Sequence, residues 1–312
     1  MAFIWRERHE QENDCFGLNK RRNCVKMDII KDTIKEIENL GICGTLSNVV
    51  ITRIGPWTLS YVRYDDGTTG CGCANNEAER EGIPEDVSFI KDMLNLDAYE
   101  VLDELEGLEN SVFINSLRTS ITSALSYRLM NDGNELKKEG YDTEAYHAPN
   151  TPLLNPLKFV KSSDVVAMAG FHMMATPLCA EVATEVHVTE LMDLKQLSLI
   201  DFNADEESNI KIFPADKSKE VLSGADVVYL TGETVVNGTL NDLLEFSKNA
   251  RTRIIYGPTS AFYPKVLFER GVDVSLPVIF PNTPDFQRRF ALSRGYWYSM
   301  KDVKQMLIKR RE

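Results

Sequence analysis

The chain has 312 residues, with 35 Lys and Arg against 47 Asp and Glu for a net charge of −12, and 43% apolar residues. That length supports about two cores at roughly 150 residues each, and the composition is that of an ordinary globular protein. Such an acidic field repels phosphate backbones, and no stretch reaches the roughly 20 apolar residues that cross a bilayer, so neither a nucleic-acid partner nor a membrane span is expected.

Residues 1–26 carry six basic and four acidic side chains without an apolar period, and are expected to form a disordered extension. The cysteines are scattered and no apolar secretory segment opens the chain, which points to a reducing, cytoplasmic setting. Cys71 and Cys73 could be half of a zinc site, but no second pair exists, and two residues apart on a strand they share a face as packed thiols.

From Met27, Ile29, Ile30, Ile34, Ile37 and Leu40 recur at helical spacing and Gly41 marks the stop. Val49–Ile54, Trp57–Tyr64 and Thr69–Ala74 read as an antiparallel meander broken by Gly55-Pro56 and Asp65-Asp66-Gly67. Two helices follow, one through Tyr99 to Leu105 and one from a Ser111 cap through Leu117, Ile121, Leu125 and Leu129. Residues 27–130 thus form a smaller α+β domain, and 131–163, polar and rich in proline, form a surface linker.

In residues 164–312 strands alternate with helices. The apolar runs Val165–Ala169, Val186–Glu190, Ala225–Thr231, Arg253–Tyr256 and Val272–Ser275 are separated by helical stretches at 174–183, 216–222, 239–248 and 265–270. This predicts an α/β domain with a Rossmann-like parallel sheet covered on both faces. Ligands of such sheets sit beyond the carboxyl ends of the strands, which directs attention to four loops.

Gly170-Phe171-His172 follows the first strand but lacks the second glycine of the dinucleotide fingerprint; His172 is a candidate metal ligand or proton carrier. Glu190 stands 20 residues after Gly170, the spacing of a ribose-binding acid, and could instead bind a metal. Thr231-Gly232-Glu233 through Asn237-Gly238-Thr239 offers flexible glycines and a Thr239 cap, with helix-start amides suited to an anion. Gly257-Pro258-Thr259-Ser260 adds two hydroxyls on a stiff backbone. The Arg288-Arg289 pair and the 309–311 basic tail read as solvated charges, and Phe286 and Phe290 as a packed helical face.

The segment 225–240, with Tyr256-Gly257-Pro258-Thr259-Ser260, Gly271-Val272-Asp273 and Gly170-Phe171-His172, resembles the family described as putative heavy-metal chelation domains. The resemblance implies an enolase N-terminal-like α+β domain, which residues 27–130 and the turn 54–58 resemble, joined to a Rossmann-like domain with a ligand site between them. Ser123 stands where the family pattern usually has Asn, and Glu233 where it has a small residue. The resemblance implies association with small metal-chelating molecules; with the four loops it gives the expectation that the cleft binds, or binds and modifies, a small anionic metal-chelating ligand or its transition-metal chelate, with His172 and Glu190 on the metal. The other readings are an enzyme using S-adenosylmethionine or a related nucleoside, and a carrier or sensor without turnover, since no nucleophile–base triad is recognisable. Homo-oligomerisation is left open, and enolase chemistry is excluded, because its catalytic residues belong to a barrel this chain lacks.

Overall fold

The computed structural model describes residues 28–52, 55–77, 82–147, 150–192, 208–297 and 300–311. The expected extension 1–26 lies outside the described residues. Asp28 starts the first helix, α1 (Ile29–Asn39), by accepting the Ile30 and Lys31 amides on Oδ1. Ile29, Ile30 and Ile37 are buried and Gly41 takes φ +69° beyond the helix end, as the apolar period and the stop residue predict.

Strands β1 (Thr45–Ile51), β2 (Trp57–Arg63) and β3 (Thr69–Asn75) form the expected antiparallel meander in the order β1-β2-β3. After α2 (Phe89–Met93), the Asp97 side chain caps α3 (Ala98–Glu106), and Ser111 caps α4 (Val112–Met130). Helix α4 is buried along 17 of its 19 residues, not only on the Leu117–Ile121–Leu125 stripe. Its other faces carry Ser116, Thr119, Ser120, Thr122, Ser123 and Ser126, small enough to let neighbouring backbones approach. Several of their hydroxyls bond locally: Thr122 donates to Arg118 O and Ser126 to Thr122 O, both at 2.8 Å, while the Ser60 and Ser120 hydroxyls meet at 2.7 Å. Cys71 and Cys73 are buried, unpaired thiols on β3, and burial raises the pKa of both. That keeps them in the unreactive, metal-indifferent form.

Residues 131–163 are more ordered than a linker. They contain α5 (Asn134–Lys138) and β4 (Tyr141–His147), and β4 joins the large sheet. Its charged side chains hid it: Asp142 and Glu144 are exposed on an edge strand, where charge blunts unwanted pairing.

The second half supplies β5 (Val165–Ala169), α6 (Ala175–Ala180), β6 (Glu185–Glu190), β7 (Ile210–Pro214), α7 (Ser218–Ser223) and β8 (Val227–Thr231). It continues through α8 (Glu233–Val236), α9 (Leu240–Phe246), β9 (Thr252–Gly257), α10 (Lys265–Glu269), β10 (Val274–Ile279), α11 (Pro284–Leu292) and β11 (Lys304–Arg310). The eight-stranded sheet has the order β4-β11-β10-β9-β8-β5-β6-β7, parallel from β10 to β7 and antiparallel at β10-β11-β4. Residues 304–310 are therefore a strand, on which Lys309 is partly exposed and Arg310 exposed, with Arg311 exposed just beyond it, as expected for solvated charges. Arg289 pairs with both Asp285 and Asp302, while Phe286 and Phe290 are fully buried against Phe280.

One apolar core runs through both sheets, from Ile37 and Leu59 to Phe262 and Met306. Ion pairs tie the halves at α1 and α10, Asp32 to Arg270 at 2.7 Å and Glu36 to Lys265 at 2.6 Å, and Ser126 accepts the Tyr263 amide at 2.9 Å. Among the described residues no helix is long and apolar enough to cross a membrane.

Candidate functional site

Strand β5 has β6 on one side and β8 on the other, so the parallel sheet changes direction between β5 and β8. At such a switch point the loops leaving two neighbouring strands diverge and open a crevice beyond their carboxyl ends. Gly170 makes the turn out of β5 at φ +89°, and any Cβ there would lie 2.8 Å from the Thr231 methyl on β8. Glycine is required by both the dihedral and the close approach.

The next residues are fixed by side chains acting on backbone. The His172 ring accepts the Met174 and Ala175 amides on Nδ1, at 3.3 and 3.0 Å, in the manner of a helix cap for α6. A neutral imidazole that accepts at Nδ1 carries its proton on Nε2. Burial pushes the His172 pKa down to about 4. The side chain is therefore neutral at physiological pH, with Nε2–H as a donor and no free ring lone pair. Its ring stands edge-on to Tyr256 at the end of β9, 5.6 Å between centroids, which brings the first and fourth loops together.

The folded-state pKa lies below the ordinary 6.5. The resulting stability is complete above pH 6.5 and is lost as pH falls toward 4, on the order of 1–3 kcal/mol. His172→Asn keeps a capping acceptor and removes the titration. Urea midpoints at pH 7 and pH 4.5 are expected to differ less in this variant than in the wild type.

Glu190 binds the tips of β5 and β6 to one another. Its Oε2 accepts the Phe171 amide at 2.9 Å and its Oε1 accepts the Leu191 and Met192 amides at 2.7 and 3.1 Å. A carboxylate has about four acceptor positions, so after these three bonds Glu190 has one left, on Oε2, for a hydroxyl or ring N–H.

The third and fourth loops meet the end of β3. Asn75 donates its backbone amide to Thr259 Oγ1 and its side-chain amide to Glu233 Oε1, each at 2.9 Å. Asn237 donates to Glu77 Oε1 at 3.3 Å, and Glu77 itself adopts φ +45°, a conformation uncommon outside glycine. These first-half residues, Asn75 and Glu77, belong to the site although sequence reading passed over them; the only local signal was the Asn-Asn-Glu run closing a strand.

Several expected contacts take other roles. Pro258, Thr259 and Ser260 are buried, Ser260 donates to Gly257 O, and Gly232 packs on Thr259 and Ser260, so this loop docks the first half and does not offer two hydroxyls to a ligand. Thr239 does not cap α9; its amide and hydroxyl both donate to Asn237 Oδ1, at 3.2 and 2.7 Å, which occupies one of the amides expected to hold an anion. Gly238, at φ +73°, is exposed as a turn residue. Of the expected site residues, Gly170, Phe171, His172, Glu190, Thr231, Glu233, Asn237, Thr239 and Gly257 are partly exposed and Gly238 is exposed.

This donor set does not fit a metal held by protein atoms alone. The His172 Nδ1 lone pair and three Glu190 acceptor positions are committed to backbone amides. Among the described residues no group of three or more His, Cys, Asp or Glu side chains is arranged to hold a metal ion. What the crest does offer is hydrogen bonding: a neutral N–H donor at His172 and the remaining acceptor position of Glu190, beside a partly exposed Glu233 carboxylate that Asn75 holds.

Residues 155–279 match the model of the family described as "Putative heavy-metal chelation", as the sequence resemblance anticipates. Two solved structures share the fold over nearly the whole chain. A DUF364-family protein of unknown function from Pyrococcus horikoshii is 17% identical with TM-score 0.67, covering 91% of this chain and 100% of that one. A protein of unknown function from the same family in Desulfitobacterium hafniense is 16% identical with TM-score 0.61, covering 91% of this chain and 98% of that one. No curated protein matches the sequence.

Proposed function

We propose that this chain, whose second half matches a family described by heavy-metal chelation, binds a small metal-chelating molecule or its metal complex at the crest of β5, β6, β8 and β9. The protein binds the organic chelator through hydrogen bonds, and any metal arrives as that ligand's cargo. The observation that carries this reading is the meeting of the strand-end loops: Gly170 lies against Thr231, His172 against Tyr256 and Glu190 on the Phe171 amide, while Asn75 and Glu77 of the first half bond Glu233 and Asn237. His172 Nε2–H donates to an acceptor on the ligand, and the remaining acceptor position of Glu190 takes a ring N–H or hydroxyl. Glu233, on the loop after the neighbouring β8, adds negative charge, which favours a ligand bearing a cation over a bare polyanion.

The test is native purification followed by elemental analysis and mass spectrometry of the small molecules released on denaturation. A stoichiometric metal-binding heterocycle is expected, with any metal leaving alongside it and not staying on the stripped protein. Metal retained after the organic ligand is removed, or no ligand and no binding of added chelates, refutes the proposal. The spacing and spare acceptor of Glu190 also suit a ribose hydroxyl, so calorimetric titration with S-adenosylmethionine separates this second reading from the first.

A further inference from the structure

A cavity of about 350 Å³ lies between the start of α1, the end of α3, the first half of α4 and residues 234–241. Ile29, Leu105, Ile114 and Leu240 give it apolar walls, and Arg118 and Thr119 line it from α4. Arg118 is 8% exposed. A guanidinium carries five donors, and one this deep is ordinarily paired. Here Nη2 donates to Asp28 Oδ2 at 2.8 Å, while Nε–H has no acceptor. Asp28 is divided between tasks, because its Oδ1 holds the first amides of α1. The hydroxyl of Thr119, fully buried, also has no partner. A buried donor left unmade costs about 1–3 kcal/mol, and such groups are uncommon in folded proteins.

We propose that this cavity is a second ligand site, built for a small monocarboxylate with an apolar body. The carboxylate accepts from the Arg118 guanidinium and the Thr119 hydroxyl, and the body lies against Ile29, Leu105 and Ile114. A planar monoanion matches the guanidinium fork. A phosphate dianion would lie beside Asp28 and Glu106, both lining the cavity, and be repelled by them. The site adjoins the functional loop: Asn115 donates to Val236 O at 2.9 Å, and Asn237, which lines the cavity, reaches Glu77 on its other side.

Calorimetric titration of the full chain with phenylacetate, and with phenylacetamide as the uncharged match, tests the proposal. The acid is expected to bind saturably, the amide about tenfold more weakly or worse, as for loss of a charge-assisted hydrogen bond. Arg118→Met is expected to abolish binding of the acid. Because that change also strips Asp28 of its partner, Ile114→Trp, which fills the cavity and spares the ion pair, is expected to abolish it too, each variant first shown to keep the wild-type circular dichroism. Equal binding of acid and amide, unchanged acid binding in either folded variant, or no saturable heat from the acid overturns the proposal. The probes carry no metal and no chelating ring, so failure here leaves the strand-tip reading standing, and failure of that reading leaves this one standing.

Discussion

Gly72→Val is expected to prevent the protein from accumulating in soluble, folded form. A Cβ at Gly72 on β3 would lie 2.0 Å from Ser120 O and 2.3 Å from Ala124 N, both backbone atoms of α4. Gly70 is in the same position, with Ala124 O at 2.1 Å. No rotamer relieves a clash made by Cβ against main chain, so strand and helix must separate along their contact. Overpacking in cores ordinarily costs about 1–3 kcal/mol when side chains can adjust. Here they cannot, and the loss is expected to exceed about 4 kcal/mol, a large part of a typical total stability of roughly 5–15 kcal/mol. Soluble yield and thermal melting by circular dichroism measure it. Gly67→Ala is the control: Gly67 has φ +82° but open space around its Cβ, so only the backbone penalty of about 1 kcal/mol applies. A Gly72→Val protein melting near the wild type would show that α4 does not pack on β3 through these glycines.

Glu190→Ala is expected to fold and to lose its ligand. The carboxylate gathers three amides from two strand tips, Phe171, Leu191 and Met192. Hydrogen bonds to a charged acceptor contribute about 1.5–3 kcal/mol when buried and less at an exposed edge. Leu191 and Met192 are exposed and water can replace their acceptor, so the cost to stability is expected to stay within about 1–3 kcal/mol. The cost to binding is larger, because removal of Glu190 takes away a ligand acceptor and frees the Gly170–Met174 loop that positions His172. Retention of the co-purifying chelator is expected to fall at least about tenfold, the equivalent of about 1.4 kcal/mol. Glu190→Gln, which keeps one oxygen acceptor, is expected to fall between. Mass-spectrometric occupancy of the purified variants measures this, and full occupancy in Glu190→Ala would remove Glu190 from the site.

The elements that were legible in the sequence are those whose burial is one-sided or complete along a single apolar run. Helix α1 announces itself by Ile29, Ile30 and Ile37 on one face, and β5 and β8 by continuous apolar strands. The loops after β5, β8 and β9 were legible for a similarly local reason, since each follows a buried strand and contains a glycine, whereas the loop after β6 was marked only by Glu190. The misread elements obtain their stability from neighbours distant in the chain. Strand β4 reads as a linker because only Tyr141 and Thr143 are buried between the exposed charges Asp142 and Glu144, and it becomes a strand only where β11 offers its edge, Tyr141 opposite Arg310. The burial of the polar faces of α4 has no signal in its own sequence, because nothing nearby in the chain shows that Gly70 and Gly72 bring a sheet within reach of its backbone.

The candidate site divides along the same line. Gly170, His172, Glu190, Glu233 and Asn237 could be named from their places after strands, but what each atom does could not. His172 looked like a metal ligand until the Met174 and Ala175 amides occupied its Nδ1, and the hydroxyls of Thr259 and Ser260 looked open until Asn75 and Gly257 engaged them. By itself the sequence determined where β5, β6, β8, β9 and β10 lie and where their loops emerge, because those follow from short-range periodicity and φ preferences, but not that β4, β7 and β11 complete the sheet. Only the tertiary structure decided which donors and acceptors remain for a ligand, including the guanidinium of Arg118 buried at the seam of the two halves. Whether a polar atom is already satisfied depends on partners that folding brings from far along the chain, as Thr259 is brought to Asn75 from 184 residues away.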